Sequence, residues 1–100
     1  KVELPEATFR MAKIHGFNPG RVTIRSQKTR WGSCSSTGAI SLNWRLIQVP
    51  AFVRDYVILH ELVHLDQLDH STRFWERLAK ICPNLNAAEK WLKLHGNRIC

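Results

Sequence analysis

The sequence lacks any apolar run that approaches the roughly 20 residues needed to cross a bilayer. It also lacks an N-terminal basic segment followed by a hydrophobic stretch, which is the pattern of a secretory signal. Neither a membrane protein nor an exported protein is therefore expected. The composition, 44% hydrophobic and 23% charged, is that of a globular domain.

Cysteine is scarce, and the three residues of this type are Cys34, Cys82 and Cys100. An odd number without a CxxC spacing would leave one unpaired thiol in a secreted protein, and it argues against a zinc knuckle built from cysteines. The prediction is a reducing compartment, and therefore a cytoplasmic location. Cys34 could also ligate a metal and hold an enzyme latent, although a small buried thiol is the favoured interpretation.

Acidic residues are few, since 8 Asp and Glu stand against 15 Lys and Arg and give a formal net charge of +7. Four of the cations fall close together in the chain: Arg21, Arg25, Lys28 and Arg30. Such a cluster can attract nucleic acid or acidic substrates, and a solvated basic face explains it equally well. Nucleic acid is therefore one candidate partner, and the oligomeric state is left open.

One hundred residues suffice for a single small domain. Pro5 and Gly16 mark the ends of a first helix, so residues 1–20 are predicted to form an N-terminal helix and turn. Alternating apolar residues and a hairpin-type loop at 35–38 predict a sheet within residues 21–49, and residues 50–100 are predicted to be helical. The predicted fold class is α+β, with a small, largely antiparallel three-stranded sheet packed on a long helix and flanked by other helices. Four aromatic side chains are expected in its core: Trp31, Trp44, Trp75 and Trp91.

The helix that begins at Pro50 is apolar almost all the way round, yet it carries His60, Glu61 and His64. Ionisable groups on a buried helix need partners or a metal ion, whereas a chance HExxH motif should fall on an amphipathic surface helix. His60 and His64 are one turn apart and can share one ion, while Glu61 points roughly 100° away from His60. Zinc suits imidazole ligands. The motif therefore predicts a zinc site in which Glu61 takes a proton from the attacking water.

His70 is the predicted third ligand, because the spacing of His60, His64 and His70 is shared with proteases that bind zinc through three histidines. In a straight helix His70 would lie about 15 Å along the axis from His60, so the helix must end near Gln67. Those proteases commonly have Gly at the position of Gln67. The chain reversal is therefore expected to use other residues, such as Asp69 in a left-handed conformation.

Two glutamates compete with His70 for the third position. Glu76 is predicted to point away from the apolar face of its own helix, and Glu89 can reach the metal only if the last helix folds over the cleft. Ser71 can cap the helix that follows His70, which would leave the histidine at a junction facing back to the metal. His70 is therefore the preferred ligand.

Further motifs accompany HExxH: Arg30-Trp31-Gly32-Ser33-Cys34, Ser41-Leu42-Asn43-Trp44-Arg45, Tyr56-Val57 and His70-Ser71-x-x-Phe74-Trp75. With them the sequence from about Arg21 to Gly96 resembles the YgjP-like metallopeptidase domain, a group that looks related to the gluzincin and SprT-like zinc proteases. The resemblance implies a zinc-hydrolase fold with a short sheet over the active-site helix, Zn²⁺ as cofactor and His70 as third ligand. It also implies that residues 1–100 form a single zincin-like catalytic domain.

Substrate-binding residues are predicted around the first of these motifs, at Trp31, Gly32, Ser33 and Asn43. A glycine inside a strand is unfavourable unless another backbone comes close, and an edge strand beside a metal cleft can pair with an extended peptide. A bulge, or tight packing of Gly32 against Trp31, would explain the glycine as well. For Asn43 the alternative is an ordinary capping role.

The leading functional hypothesis is a metallopeptidase that acts on peptide or protein substrates, with zinc polarising the scissile carbonyl and Glu61 activating the water. One alternative is a zinc hydrolase of a nucleotide or another phosphate ester, and another is a nucleic-acid-associated protease module. HExxH alone does not separate them. An exposed edge strand at residues 31–34 favours peptide, whereas Arg and Lys side chains converging on the metal would favour phosphate.

Overall fold

A computed structural model describes residues 3–26 and 30–95 of the protein. The part of the chain so described is α+β, which confirms the predicted class. Its elements are α1 (Leu4–His15), β1 (Arg21–Arg25), β2 (Gly32–Cys34), β3 (Ala39–Asn43), a 3-10 turn (Trp44–Ile47), α2 (Ala51–Val63), α3 (Thr72–Ile81) and α4 (Leu85–Leu94).

The sheet is mixed, so the prediction of a largely antiparallel sheet is wrong. The strand order is β1-β3-β2, in which β3 pairs antiparallel with β2 and parallel with β1. A short loop joins β2 to β3 and gives the expected antiparallel pair. β1 does not pair with its successor, because β3 lies between the two, and β3 runs in the same direction as β1. Alternation of apolar and polar residues reports only which face of a strand is buried, so it could not reveal this order.

The helix ends follow from local backbone chemistry. Gly16 has a left-handed conformation with φ +78°, and the N–H of Phe17 donates to the carbonyl of Ala12, as expected for a glycine that ends a helix. α3 ends before Pro83, with Cys82 in an extended conformation. Within the described ranges, each helix is too short or too polar to cross a bilayer.

α2 lies at the centre of the fold, in contact with α1, α3, α4 and the strands β2 and β3. Nine of its residues are buried: Val53, Tyr56, Val57, Ile58, Leu59, His60, Glu61, Leu62 and Val63. Because other elements pack on α2 from several sides, its surface is apolar almost all the way round. The HExxH motif therefore lies within the core of the domain.

The tryptophan prediction holds in part. Trp31 is buried, and Trp75 and Trp91 are half-buried against the core. Trp44 is 39% exposed, so its assignment to the core is wrong. It begins the 3-10 turn directly after β3, where the chain leaves the sheet, and the guanidinium of Arg45 lies 6.0 Å from the centre of its ring.

Candidate metal centre

The chain reverses direction immediately after α2 and brings His70 back toward it. α2 ends at Val63, earlier than predicted, and the N–H groups of Asp66 and Gln67 both donate to the carbonyl of Val63. The reversal uses no left-handed residue, because positive φ angles in the described residues occur only at glycines, so the expectation for Asp69 is wrong. Ser71 occupies the N-cap position of α3, but its side chain makes no capping hydrogen bond.

Three imidazole rings meet at this reversal. His60, His64 and His70 each offer a ring nitrogen, and these atoms all lie within 4.8 Å of one another. The Nε2 atoms of His64 and His70 are 3.2 Å apart. His60 and His64 are buried, whereas His70 is exposed. In the described part of the chain, this is the one group of three or more His, Cys, Asp or Glu side chains that could hold a metal ion.

Neighbouring groups orient two of the rings. The carbonyl of Gln67 accepts a hydrogen bond of 2.8 Å from Nδ1 of His64, which places the proton on Nδ1 and leaves a lone pair on Nε2. The ring of His70 stacks on Trp75, with 5.8 Å between the ring centres, and meets Phe74 edge-on at 5.0 Å. Phe74 and Trp75 thus both pack on the ring of His70 at the start of α3.

Burial keeps the imidazoles of His60 and His64 neutral. It lowers the pKa of His60 from 6.5 to about 3, and the nearby His70 contributes in the same direction. Burial also lowers the pKa of His64, against the opposing effect of its hydrogen bond to Gln67. Metal ligation requires neutral imidazole, so both residues are in the ligating form at neutral pH.

The His60 ring carries a buried polar atom that its surroundings leave unsatisfied. Among residues 3–26 and 30–95 its Nδ1 finds no hydrogen-bond partner, although Oε2 of Glu61 lies 3.4 Å away. That contact is too long for a hydrogen bond, and it is not an ion pair because the depressed pKa of His60 keeps the ring uncharged. A buried nitrogen that lacks a hydrogen bond, next to two further imidazoles, is consistent with a site that binds a cation.

Glu61 is completely buried between α2 and the sheet. Its carboxylate borders the His60 ring on one side and β2 on the other. The helical spacing predicts this arrangement, in which the glutamate flanks the histidines instead of joining their cluster.

A cavity of about 490 Å³ opens on the histidine cluster. Its lining residues are Tyr56, His60, His70, Trp75, Glu89, Leu92 and Lys93. α4 folds over the cleft, as Glu89 would need in order to reach the metal. Its carboxylate is nevertheless not part of the group that could hold a metal ion. The hydroxyl of Tyr56 donates to Oε2 of Glu89 at 3.2 Å, and burial followed by this carboxylate raises the pKa of Tyr56. Glu76 lies elsewhere, in a surface pocket with Arg73 and Arg77.

The predicted substrate-binding residues lie along β2 and its connection to β3. Trp31 is buried and meets Trp91 edge-on, and Ser33 is half-buried opposite Ser41 of β3. Asn43 is buried, donates from Nδ2 to the carbonyl of Arg30, and accepts from the N–H of Arg45. Asn43 therefore ties the start of β2 to the end of β3, and β2 lies at the edge of the sheet.

Cys34 and the basic cluster lie outside the histidine cluster. Cys34 is half-buried, and burial followed by the charge of Glu61 raises its pKa to about 11, so it is a thiol at neutral pH. Arg21, Arg25 and Arg30 are exposed and do not line the cavity, and Lys28 lies outside the described residues.

The comparison with known families agrees with this geometry. The model of the YgjP-like metallopeptidase domain matches residues 1–95. The chain belongs to the YgjP-like metallopeptidase family. This confirms the resemblance found in the motifs and the prediction of a metal-dependent hydrolase.

The YgjP-like domain also shares its fold with a solved structure. The metallopeptidase zymogen of Pyrococcus abyssi abylysin superposes with a TM-score of 0.82 over 98% of this chain and 100% of that one, at 21% sequence identity. No curated protein is similar enough in sequence to count as a match.

Sequence reasoning missed the aromatic surroundings of the metal centre. Tyr56 contacts the His60 ring at 5.7 Å between centres, and Phe74 contacts it at 4.9 Å. The spacing held a signal, because Tyr56 precedes His60 by four residues and Phe74 follows His70 by four. On a helix this spacing places the tyrosine next to the histidine.

Proposed function

We propose that the chain is a zinc-dependent metallopeptidase in which His60, His64 and His70 hold the metal and Glu61 is the general base. The observation that carries the proposal is the convergence of three imidazoles, within 4.8 Å, beside a buried glutamate. Membership of a metallopeptidase family supports a reaction on peptide bonds.

Zinc is the proposed metal because the donor set suits it. Tetrahedral coordination with Zn–N distances of about 2.0–2.1 Å places neighbouring nitrogens about 3.3 Å apart. The 3.2 Å between Nε2 of His64 and Nε2 of His70 is close to that value. Three protein ligands with one open position are typical of catalytic zinc sites, and nitrogen donors without thiolates or carboxylates suit zinc better than calcium or magnesium.

When bound, zinc would polarise the scissile carbonyl and lower the pKa of a water molecule. The chain's own residues do the rest. Glu61 takes the proton of the attacking water and later passes it to the leaving amine. Its carboxylate has no contact with bulk solvent, so its charge acts at short range in a weakly screened environment. The water molecule must therefore approach beside the His60 ring, which Glu61 borders.

An extended peptide is the proposed substrate. β2 is a sheet edge next to Glu61, and such an edge can pair with substrate backbone through residues 31–33. A phosphate substrate is less well matched to the cavity. Lys93 is the one Lys or Arg among the described residues that line it, and the carboxylate of Glu89 lies on the same wall. Nucleic-acid binding through β1, the cytoplasmic location and the single catalytic domain over residues 1–100 stay predictions.

The proposal is tested by offering the zinc-loaded protein a peptide library and a panel of nucleotides and phosphate esters side by side. We expect cleavage of peptides, loss of that cleavage after chelation, and recovery on addition of zinc. Turnover of phosphate esters without cleavage of any peptide would contradict the proposal. Retained cleavage in a sample verified to be metal-free would contradict the assignment of the metal.

A further inference from the structure

Gly32 lies directly against the side chain of Glu61. It is buried at the start of β2, opposite Leu42 of β3. A β-carbon added to Gly32 would lie 3.1 Å from Cγ and 3.2 Å from Oε2 of Glu61, and 3.3 Å from Cδ2 of Leu42. All three distances are shorter than the 3.4–4 Å of ordinary van der Waals contact. A side chain at this position would therefore be crowded by the Glu61 carboxylate and by Leu42, and a neighbour would have to shift by a few tenths of an ångström.

Backbone conformation does not require a glycine at this position. Positive φ angles in the described residues belong to Gly16 and Gly38, and Gly32 is in an ordinary strand. No β-bulge interrupts the pairing of β2 with β3, which runs without a break from Gly32 to Cys34. Space, not backbone freedom, is thus the reason for a glycine here.

β2 is held in place by hydrogen bonds to β3, so an added side chain at Gly32 would be forced against Glu61 and Leu42. The N–H of Asn43 donates to the carbonyl of Trp31 at 2.9 Å, and Nδ2 of Asn43 donates to the carbonyl of Arg30 at 3.0 Å. These two bonds hold the residues just before Gly32 against β3. The Glu61 side chain lies on the other side of this contact and has several rotatable bonds.

We propose that Gly32 is a positioning residue that sets the place of the Glu61 carboxylate beside His60. The contact itself is independent of the reaction, and its catalytic consequence rests on the proposed function. A displaced carboxylate would still leave the three imidazoles in place, because none of them is among the nearest atoms to the added β-carbon.

The first test replaces Gly32 with alanine and measures steady-state kinetics and zinc affinity. Relief of these contacts needs a shift of a few tenths of an ångström. Since a misplacement of about 1 Å can cost about 100-fold in rate, we expect kcat to fall by roughly 3- to 10-fold while KM and zinc affinity are unchanged. Gly20→Ala is the matched control, because a β-carbon there makes only ordinary contacts of 3.6 Å or more. A raised KM with unchanged kcat would instead mean that Gly32 admits the substrate backbone, and it would overturn the proposal.

The second test needs no activity. Thermal unfolding of the metal-free protein is compared for Gly32→Ala in the parent and in a Glu61→Ala background. Overpacking should lower Tm by about 4 °C or more in the parent, and by less than half of that once Glu61 has been shortened. Equal losses in both backgrounds would overturn the proposal.

The two tests separate the inference from the function. If the parent protein hydrolyses no peptide, the proposed function fails, and the Tm comparison still decides whether Gly32 packs on Glu61. If Gly32→Ala does not fold, restored folding in the double variant supports the contact, and failure to restore it contradicts the contact.

Discussion

Replacing His70 with alanine removes one of the three proposed ligands and leaves the core almost untouched. The ring is exposed, and the contacts described for it are with Phe74, Trp75 and the other two histidines. Loss of such a surface ring should change the free energy of unfolding of the metal-free protein by about 0.5 kcal/mol or less. Any large effect of the substitution must therefore act through the metal.

The magnitude follows from the number of ligands. Structural zinc sites with four ligands bind with apparent free energies of about 10–16 kcal/mol, or about 2.5–4 kcal/mol for each ligand. Losing one ligand should therefore raise the Kd for zinc roughly 100- to 1000-fold. Nε2 of His70 lies 3.2 Å from Nε2 of His64, close to the separation of two nitrogens bound to one zinc ion, so we expect the full effect.

Competition against a coloured zinc chelator at neutral pH measures this Kd directly. Glu89→Ala and Glu76→Ala are the matched controls, because both remove a carboxylate that lies outside the histidine cluster. We expect their Kd values to stay close to that of the parent. Unchanged affinity in His70→Ala, or an equal loss in Glu89→Ala, would refute the assignment of the third ligand.

Two further predictions concern stability. Because burial lowers the pKa of His60 to about 3, the unfolded chain takes up a proton below pH 6.5 that the folded metal-free protein resists. The free energy of unfolding is therefore unaffected above pH 6.5 and decreases as the pH falls toward 3. At 1.4 kcal/mol per pH unit the decrease is at most about 5 kcal/mol. The free energy of unfolding, measured with urea at several pH values in this range, should depend less steeply on pH in His60→Gln than in the parent. An equal dependence on pH in both proteins would contradict the expectation. Asn43→Ala removes a buried amide that is hydrogen-bonded to the backbone of Arg30 and Arg45. It should lower the free energy of unfolding, measured with urea, by about 1–3 kcal/mol. A decrease below about 0.5 kcal/mol would contradict the role of Asn43 in holding β2 to β3.

Much of the site could be predicted because its residues are close in sequence. His60 and His64 share one helix, and helical periodicity fixes their separation and the offset of Glu61 without any knowledge of the fold. The return of His70 was predicted from the spacing of the three histidines, which zinc proteases share, together with reach, since a straight helix would carry His70 away from His60. The details of that return were not, because the tight turn after Val63 depends on backbone hydrogen bonds that the side-chain pattern does not encode.

The features that could not be predicted depend on contacts between distant parts of the chain. The parallel pairing of β1 with β3 cannot be recognised in the sequence, because the residue pattern of neither strand shows the direction of its neighbour. The exposure of Trp44 depends on where the chain leaves the sheet, and a pattern of hydrophobic residues does not report this. Gly32 drew attention in the sequence as a glycine within a strand, but its contact with Glu61 needed the packing of β2 on α2.

The most direct measurement of the central claim compares peptide hydrolysis by the parent and by Glu61→Gln at equal zinc content. The amide has nearly the shape of the carboxylate but cannot accept the proton of the attacking water. We expect zinc stoichiometry and thermal stability to be retained, and kcat/KM to fall by about 10²–10⁴, the usual contribution of a general base. Turnover close to that of the parent, in a variant shown to carry zinc, would contradict the account.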